Sequence, residues 1–360
     1  MLVLGVMSGT SLDGIDLALC HFSGFGPINY EILYAETIEY DREWREELSN
    51  LYMRDGSYLC SMNIHYARLI ALQIQNFLSK KEVIEILKSR NTQNSDLLIS
   101  SHGHTVFHEP DTGLTLQIGH GAVIMAMTKC HVICDFRSQD VALGGQGAPL
   151  VPIGDELLFG EYDACLNIGG FANVSLKIDG KRRAWDICPA NIVLNRWAAR
   201  LGDTMDRDGK YSQTGRLIRE ILDQWEHLEY YQKKGPKSLG REWVESIFLE
   251  NVYESVFNPR DLLHTAVEHI ARRIAADLPS SGRVLVTGGG AYHPGIINRL
   301  KQLTSAEIIL PDKWLIDFKE ALVFGLMGYL GWHNKINVLS SVTGAEKDHC
   351  SGVIFKNQNF

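Results

Sequence analysis

The feature that most constrains this chain is a break in an apolar strand close to its first residue. The strand runs through Met7, the break from Ser8 to Asp13 holds glycine, hydroxyl and carboxylate residues, and a second strand follows from Ile15 to Cys20. A turn of this composition presents backbone N–H groups, hydroxyls and a carboxylate to one point, as a phosphate with a metal ion beside it requires. Since no Gly-Lys-Ser/Thr follows and a strand comes next, the turn is not a P-loop. An ordinary tight hairpin is the alternative, but a hairpin needs fewer hydroxyls and glycines, and we favour the phosphate site.

Composition excludes several classes of protein. At 360 residues, with 45% hydrophobic and 22% charged residues, the chain is long enough for two globular domains with separate cores. The net charge of -8 and the scattered Lys and Arg argue against a nucleic-acid or anionic-membrane surface. No apolar run approaches the ~20 residues of a membrane helix, and Met1 leads directly into a strand, so we expect a cytoplasmic protein. Seven cysteines without framework spacing are typical of reduced, buried thiols.

A second strand–turn–strand pattern occurs near the middle of the chain. Ala164 to Ile168 is apolar, Gly169-Gly170 forms the turn, and an alternating strand continues to Ile178. Two such hairpins predict duplicated lobes that face each other, each offering its turn to one ligand. A chance resemblance between two hairpins is the alternative. Glycines and prolines make 135–152 the predicted crossing between the lobes.

Apolar periodicity predicts helices between and after the hairpins. The expected helices lie at about 63–90, 190–201, 214–226, 259–278 and 319–332, with another from Pro294 and a strand at 97–101. Asn258 is placed as the N-cap of the fourth helix, with Pro259 at its first position. A buried strand at 283–287 runs into three glycines, which permit close approach by a flat ligand such as adenine. A plain tight turn is the alternative for these glycines.

Two phosphate-type hairpins followed by a strand, three glycines and a helix match, in that order, the actin-like, hexokinase-like nucleotide fold. Within that fold the chain closely resembles the anhydro-N-acetylmuramic acid kinases. The matching segments span nearly the whole chain in family order: 5–16, 102–110, 116–119, 135–137, 142–152, 166–173, 236–242, 320–322 and 341–345.

The resemblance implies an α/β, two-lobed actin-like/hexokinase-like (ribonuclease H-like) ATPase fold with a central cleft. We expect an N-terminal lobe of residues 1–136 plus 336–360 and a C-terminal lobe of residues 137–335. The tail, 341–354, is expected to return to the first lobe as a strand. We also expect the two lobes to close around the substrates, with hinges at 135–152 and 334–338. The resemblance further implies a homodimer.

The activity that the resemblance implies is a double reaction. ATP phosphorylates the 6-oxygen of 1,6-anhydro-N-acetylmuramic acid while water opens the anhydro bridge, giving N-acetylmuramic acid 6-phosphate in cell-wall amino-sugar recycling. Opening the bridge needs a carboxylate that activates water at the anomeric carbon, while the γ-phosphoryl group captures the departing oxygen. We expect Asp186 to be that base, at the carboxyl end of a short strand and before a helix. Its context alone would equally suit a helix N-cap; the family motif favours catalysis.

The resemblance also implies the binding residues. ATP and its phosphates are expected at both hairpins and at the glycine turn, on Gly9, Thr10, Ser11, Leu12, Asp13, Gly14, Ile15, Asp16, Gly169, Gly170, Gly288, Gly289 and Gly290. Asp13 or Asp16 is expected to hold Mg²⁺, with a turn-closing hydrogen bond as the alternative for Asp16. Glu320, Arg137 and His104 are expected to bind the sugar, with a structural ion pair as the alternative for Arg137.

Three departures from the family pattern lie near these residues. Ile187-Cys188-Pro189-Ala190-Asn191 stands where the family has Thr-Gly-Pro-Gly-Asn, so a hydroxyl and two glycines are lost beside the reacting centre. His120 replaces an acidic residue, and His293 replaces an asparagine. The changes leave the nucleotide-binding residues in place and alter the sugar side of the expected site.

Two other functions are compatible with parts of the sequence. A metal-dependent hydrolase is suggested by a group of histidines and cysteines: His102, His104, His108, Cys130, His131 and Cys134. This group contains no acidic ligand and completes no recognised zinc spacing. The other is a non-catalytic sugar- or nucleotide-sensing relative of the same fold, suggested by the altered neighbourhood of Asp186. The presence of Asp186, Glu320 and the complete first hairpin argues against it.

Overall fold

The chain forms two compact units in a computed structural model that describes residues 1–9, 12–233, 235–250, 252 and 255–357. Unit 1 consists of Met1–Leu158 and Phe318–Phe360, and unit 2 of Phe159–Asp317. The chain therefore crosses between units after Leu158 and after Asp317. The segments expected to carry the crossings, 135–152 and 334–338, both lie inside unit 1.

The described strands are β1 (Leu2–Met7), β2 (Gly14–Ser23), β3 (Asn29–Glu39), β4 (Leu98–Ser101), β5 (His104–Glu109), β6 (Leu114–Ile118), β7 (His131–Cys134), β8 (Ala164–Ile168), β9 (Phe171–Ile178), β10 (Lys181–Pro189), β11 (Arg283–Thr287), β12 (Glu307–Ile309) and β13 (Val353–Phe355). The described α-helices are α1 (Arg42–Asn50), α2 (Gly56–Leu78), α3 (Lys81–Ser89), α4 (Gly121–Thr128), α5 (Ser138–Ala142), α6 (Pro152–Leu157), α7 (Asn191–Ala199), α8 (Arg219–Glu226), α9 (Arg241–Trp243), α10 (Pro259–Asp277), α11 (Pro294–Leu303), α12 (Lys313–Trp332) and α13 (Ser340–Thr343).

The two main sheets repeat one pattern. In unit 1 the strand order is β13-β7-β4-β1-β2-β3. Strand β2 is antiparallel to both β1 and β3, whereas β4 and β7 run parallel to β1. In unit 2 the order is β10-β9-β8-β11-β12, with β8, β9 and β10 antiparallel and β11 and β12 parallel to β8. In each sheet the first three strands along the chain form an antiparallel meander. The later parallel strands then add to the free side of the first strand, β1 in unit 1 and β8 in unit 2. This repeat confirms the α/β class and the second hairpin that the sequence predicts.

Each unit has its own apolar core. In unit 1, α2 buries residues at helical spacing, among them Tyr66, Ile70, Ile74 and Phe77, against the sheet. In unit 2, Trp225 stacks between Trp197 and Phe248, with ring centroids 5.8 Å and 4.5 Å apart. Strand β1 is buried along its whole length, because it lies between β4 and β2 with both faces covered.

The predicted elements are largely present with shifted ends. The helix expected at 63–90 begins earlier, because the Asp55 side chain accepts from the Tyr58 N–H and caps α2, and it breaks at residues 79–80 before α3. Asn258 caps α10 as expected, accepting from the Arg260 N–H. The tail returns as β13, which pairs antiparallel with β7. The strand is shorter than the expected 341–354 segment, whose first residues form α13.

Candidate active site

The turn between β1 and β2 is anchored by a cluster of three hydroxyl groups. Ser8 is 1% exposed, and its Oγ lies 2.8 Å from the Tyr40 hydroxyl and 2.6 Å from the Tyr66 hydroxyl. The two tyrosine hydroxyls are 2.5 Å apart. The Ser8 hydroxyl is therefore committed to this cluster and fixes the end of β1 from which the turn starts.

The turn residues differ in what they offer a phosphate. Leu12 has a left-handed backbone with φ 60°, and its N–H donates to the Gly9 carbonyl at 3.4 Å. A Cβ on Gly14 would overlap the Ile38 carbonyl of β3, so this glycine is also required for packing. Ile15 is 1% exposed and its side chain lies in the unit 1 core, so only its backbone could contact a ligand. Thr10 and Ser11 lie outside the described residues.

The two candidate Mg²⁺ residues stand in different surroundings. Asp13 is exposed, whereas Asp16 accepts a hydrogen bond from the Thr37 hydroxyl at 2.6 Å, across the β2–β3 pair. Among the described residues, no group of three or more His, Cys, Asp or Glu could hold a metal ion. An exposed single carboxylate fits a Mg²⁺ ion that keeps most of its water and binds substrate phosphates, the usual arrangement for this ion. The fit favours Asp13 over Asp16.

Glu320 is held close to the first strand by a helix that lies directly on it. A Cβ on Gly5 would overlap the Ala321 carbonyl of α12 and lie 3.1 Å from the Gly325 N, so only glycine allows this contact. Glu320 is half-buried and makes no hydrogen bond to a described residue. Burial raises the pKa of its carboxyl, and the nearby Arg137 and Lys319 oppose the rise. The carboxylate is therefore available to a ligand.

Arg137 is bound to its own unit and remains charged. Its Nε and Nη2 lie 3.0 Å and 2.8 Å from His102 Nε2, and its Nη1 donates to the Gly147 carbonyl at 2.5 Å. Because His102 Nε2 accepts, the proton of this ring lies on Nδ1, which donates to the Gly103 carbonyl at 2.8 Å. Burial lowers the pKa of Arg137 to about 10, and Glu320 and Asp140 oppose the shift. Among the described residues Arg137 thus makes hydrogen bonds and no direct ion pair, and Glu320 and Asp140 affect it only through their charge.

The loop that receives Arg137 is organised by a fully buried carboxylate, Asp140. One carboxylate oxygen accepts from the Gly147 N–H at 2.7 Å, and the other from the Thr343 hydroxyl at 2.7 Å. His349 Nε2 lies 3.6 Å from the second oxygen. Two of the segments that carry the family resemblance, 142–152 and 341–345, therefore meet at one side chain.

His104 lies in the interior of unit 1. It is 3% exposed, its Nδ1 has no hydrogen-bond partner, and its ring packs against Tyr66 with centroids 6.0 Å apart. Burial lowers the pKa of His104 to about 4, so the ring is neutral near pH 7. A cavity of about 200 Å³ nearby is lined by residues that include His102, Gln117 and His120.

In unit 2, the turn between β8 and β9 receives the start of a helix. The Gly170 carbonyl accepts from the Ala190 N–H at 2.8 Å, and the Gly169 carbonyl from the Asn191 N–H at 3.1 Å. The N-cap of α7 is Ala190, without a side-chain cap. Asp186 therefore does not cap this helix. It lies within β10, which continues to Pro189, rather than at the end of a short strand.

Asp186 is half-buried and accepts one hydrogen bond. The Leu239 N–H donates to its Oδ2 at 2.8 Å, and no described residue donates to Oδ1. Burial raises the pKa of this carboxyl, and the Leu239 N–H opposes the rise. A strand register shift between Asp186 and Cys188 accompanies the site; such bulges re-aim side chains and are common beside active sites.

Polar residues that the sequence reasoning missed continue this row. Asp186 pairs with Asn173 of β9, which pairs with Asn167 of β8, which pairs with Thr287 of β11. Register partners share a face of the sheet, so these side chains form one polar row. In the sequence, the signal that could have indicated this row is the pair of asparagines, Asn167 and Asn173, on either side of the glycine turn in two otherwise apolar strands. No local signal points to Leu239, which is 53 residues away in the chain.

The glycine turn after β11 has one conformational and one packing requirement. Gly288 has φ 83°, and a Cβ there would lie 2.5 Å from Asn167 Oδ1. A Cβ on Gly290 would overlap the Ile168 side chain, whereas Gly289 has only Asn191 Nδ2 nearby, at 3.6 Å. Gly289 therefore has the open surface that a ligand would need.

The family model and the curated relatives of this chain agree on one kind of enzyme. The family model for anhydro-N-acetylmuramic acid kinase matches residues 1–357. An anhydro-N-acetylmuramic acid kinase from Pseudomonas syringae pv. syringae is 32% identical over 372 residues, covering 98% of both chains. One from Pseudomonas paraeruginosa is 33% identical over 371 residues, again covering 98% of both. A solved ROK family glucokinase from Streptomyces griseus shows 12% identity and a TM-score of 0.39 over 91% of this chain and 99% of that chain.

The family model and the two relatives place the chain among the sugar kinases. It belongs to the anhydro-N-acetylmuramic acid kinase family. The two alternative functions are not favoured by this membership. None of the helices in the described part of the chain combines the length and apolar character that a membrane crossing requires.

Proposed function

We propose that this protein is an ATP-dependent kinase that opens 1,6-anhydro-N-acetylmuramic acid with water and phosphorylates O6, giving N-acetylmuramic acid 6-phosphate and ADP. Full-length membership of the family supports the activity. The observation that carries the mechanism is the Asp186 carboxylate, which is half-buried, does not cap α7 and has one oxygen to which none of the described residues donates. This second oxygen is therefore open to water or substrate.

The reaction balances with a single carboxylate. A water molecule attacks the anomeric carbon and gives its proton to Asp186, while the bond from that carbon to the bridging oxygen breaks. The bridging oxygen, now O6, bonds to the γ-phosphorus, and the bond from that phosphorus to the β,γ-bridging oxygen breaks to release ADP. An inverting glycosidase needs a second carboxylic acid to protonate the leaving oxygen; here phosphoryl transfer removes that need. A base of raised pKa suits this role, because its affinity for the proton lies closer to the working pH.

Unit 1 supplies the groups that we assign to the phosphates and to the sugar. Backbone N–H groups of the turn at Gly9 to Gly14 would bind phosphate oxygens, and unit 2 would add the Gly170 N–H. Gly169, whose own N–H donates to the Phe171 carbonyl at 3.1 Å, would line the phosphates beside it. Glu320, with no hydrogen bond to a described residue, would accept from a sugar hydroxyl. Arg137, held by His102 and Gly147, would bind an anionic group of the substrate.

Further parts of the proposal rest on the family resemblance. Gly288, Gly289 and Gly290 would line the adenosine, and the open surface at Gly289 is compatible with this. Mg²⁺, held by Asp13 through water, would neutralise charge on the phosphates. His104 enters the proposal as support for Tyr66 and the turn, because its side chain is buried. A cytoplasmic location and a homodimer complete the proposal.

The activity is tested by incubating the purified protein with ATP and the anhydro sugar. We expect ADP and the ring-opened 6-phosphate in equal amounts, detected by coupled assay and mass spectrometry. ADP formation without added sugar, or no ADP with it, would contradict the proposed function. The second outcome would favour a sensor, and sugar binding by calorimetry would then identify it.

A further inference from the structure

The chain segment 235–239, here called the strap, runs beside the open edge of β10. This strand is the last in the unit 2 sheet, so one of its edges has no neighbouring strand. The Asp186 N–H donates to the Lys237 carbonyl at 2.9 Å, and the Leu239 N–H returns to Asp186 Oδ2 at 2.8 Å. The strap thus bonds both the backbone and the side chain of the one residue assigned as the base.

A tyrosine holds the same residue from a second direction. The Tyr230 hydroxyl, in a side chain 8% exposed, donates to the Asp186 carbonyl at 2.7 Å. Lys237 links this tyrosine to the strap, because its Nζ donates to the carbonyls of Tyr230 at 3.3 Å and Lys233 at 3.0 Å. The same Nζ lies 4.5 Å from the centre of the Tyr230 ring, at cation–π distance.

We propose that the strap and Tyr230 are positioning residues for the reaction. They commit Oδ2 of Asp186 to the Leu239 N–H and leave Oδ1 directed at the reacting water. The inference rests on the proposed function and names how its base is oriented. A carboxylate rotates about its terminal bond with little hindrance, and the bulge beside Asp186 removes part of the regular ladder. Three bonds from outside the sheet replace that restraint, and a small misplacement of a catalytic group has a large effect on rate.

Tyr230→Phe is the least disruptive test, because it removes one hydroxyl. We expect kcat to fall about five- to tenfold, with KM for both substrates and the melting temperature little changed. Tyr231→Phe is the matched control, because the Tyr231 hydroxyl pairs with His269 Nε2 at 3.0 Å and not with Asp186. Equal kcat values for the wild type and Tyr230→Phe would overturn the role of Tyr230.

Leu239→Pro tests the strap, because proline has no N–H to donate. The Leu239 N–H lowers the pKa of the Asp186 carboxyl, so its loss should raise that pKa and move the acid limb of the pH profile of kcat to higher pH. Leu239→Ala keeps the N–H donor and should show the same acid limb as the wild type. Among the described residues, the titratable groups around Asp186 include Asp277 and Lys237 of the strap, and burial lowers the pKa of Lys237. They also include Tyr230 and Cys188, and burial raises the pKa of both. Those two groups do not titrate near neutral pH, and Asp277 accepts from Trp185 Nε1 at 2.6 Å. An unchanged acid limb in folded Leu239→Pro would overturn the role of the strap.

A readout without turnover separates this inference from the proposed function. The carboxyl carbon of Asp186, assigned by its absence in Asp186→Asn, is titrated by ¹³C NMR in the substrate-free protein. We expect its midpoint to rise in Leu239→Pro and to stay in Leu239→Ala. If the wild type shows no kinase activity but the midpoint moves, the proposed function fails and the orientation by the strap stands. If the midpoint does not move, the inference fails whatever the activity. Should Leu239→Pro not fold, Tyr230→Phe decides.

Discussion

Asp140 of unit 1 and Asp186 of unit 2 are two aspartates with opposite surroundings. Asp140 has no exposed surface, and its two oxygens accept from the Gly147 N–H and the Thr343 hydroxyl. Asp186 is half-buried, with one oxygen bonded to the Leu239 N–H and the other without a donor among the described residues. A buried carboxylate with every oxygen bonded stabilises the fold. A half-buried carboxylate with one oxygen left without a donor has capacity for chemistry.

The difference teaches that burial alone does not identify a catalytic carboxylate. Asp140 is the more buried of the two, yet its bonds hold a glycine-rich loop and the chain tail in place. The Asp186 carboxylate accepts a single hydrogen bond, from the Leu239 N–H, which leaves its other oxygen without a donor among the described residues. The predictions below separate loss of activity from loss of stability at these and related carboxylates.

The largest effect is expected for Asp186→Asn. Removal of the base should lower kcat by about 10²- to 10⁴-fold, for ADP formation and ring opening together, with little change in stability because Asn retains an acceptor for Leu239. Product analysis by mass spectrometry measures both halves. Asp223→Asn, at an exposed carboxylate of the same unit, is the control. A half-reaction that survives at nearly the wild-type rate would show that one base does not serve both.

Asp140→Ala is expected to lower the free energy of unfolding. Two buried donors lose their acceptor, which costs about 3 kcal/mol in free energy of unfolding. Urea denaturation followed by fluorescence measures it, with Asp111→Asn, at an exposed carboxylate of unit 1, as the control. If Asp140→Ala unfolds at the wild-type urea concentration, the assignment of Asp140 as structural is wrong.

Glu320→Gln is expected to affect binding of the sugar. Glu320 has no hydrogen bond to a described residue, and losing a charged acceptor for a sugar hydroxyl should raise KM for the sugar about tenfold, with KM for ATP unchanged. Initial rates at varied sugar concentration measure this. Glu346→Gln, which alters an exposed glutamate of the same unit, should leave KM unchanged. A rise in KM for ATP alone would move Glu320 to the nucleotide.

Asp206 extends the comparison to acid pH. Burial raises the pKa of Asp206. Its carboxylate also accepts hydrogen bonds from the side chains of His293 and Ser212 and from the backbone N–H groups of Tyr211 and Ser212. These bonds outweigh the effect of burial and lower the pKa to about 2. Because the pKa is lower in the folded than in the unfolded state, the ionised carboxylate stabilises the fold at pH values above the unfolded-state pKa of about 3.9. This stabilisation is lost as the pH falls toward 2. The contribution is at most on the order of 2 kcal/mol. Melting temperatures from pH 5 to pH 2.5 should fall less for Asp206→Asn than for the wild type; parallel curves would contradict the assignment.

The sequence was sufficient for those features that depend on local pattern. The two hairpins, the Asn258 cap and the glycine turn at Gly288 follow from strand periodicity and turn chemistry, which act over a few residues. The position of Asp186 inside β10 was not predictable, because Ile187 and Cys188 read as a strand end before Pro189. The contacts of Leu239 and Tyr230 with Asp186 join residues 53 and 44 positions apart. Such pairings are set by tertiary packing and leave no local signature.

Oxygen tracing tests the central claim, that water attacks the anomeric carbon while O6 takes the phosphoryl group. The reaction is run in H₂¹⁸O, and the products are fragmented by mass spectrometry. We expect one ¹⁸O atom on the anomeric carbon, none in the phosphate ester, and no labelled inorganic phosphate. Label in the phosphate ester, or an unlabelled anomeric hydroxyl, would contradict the account.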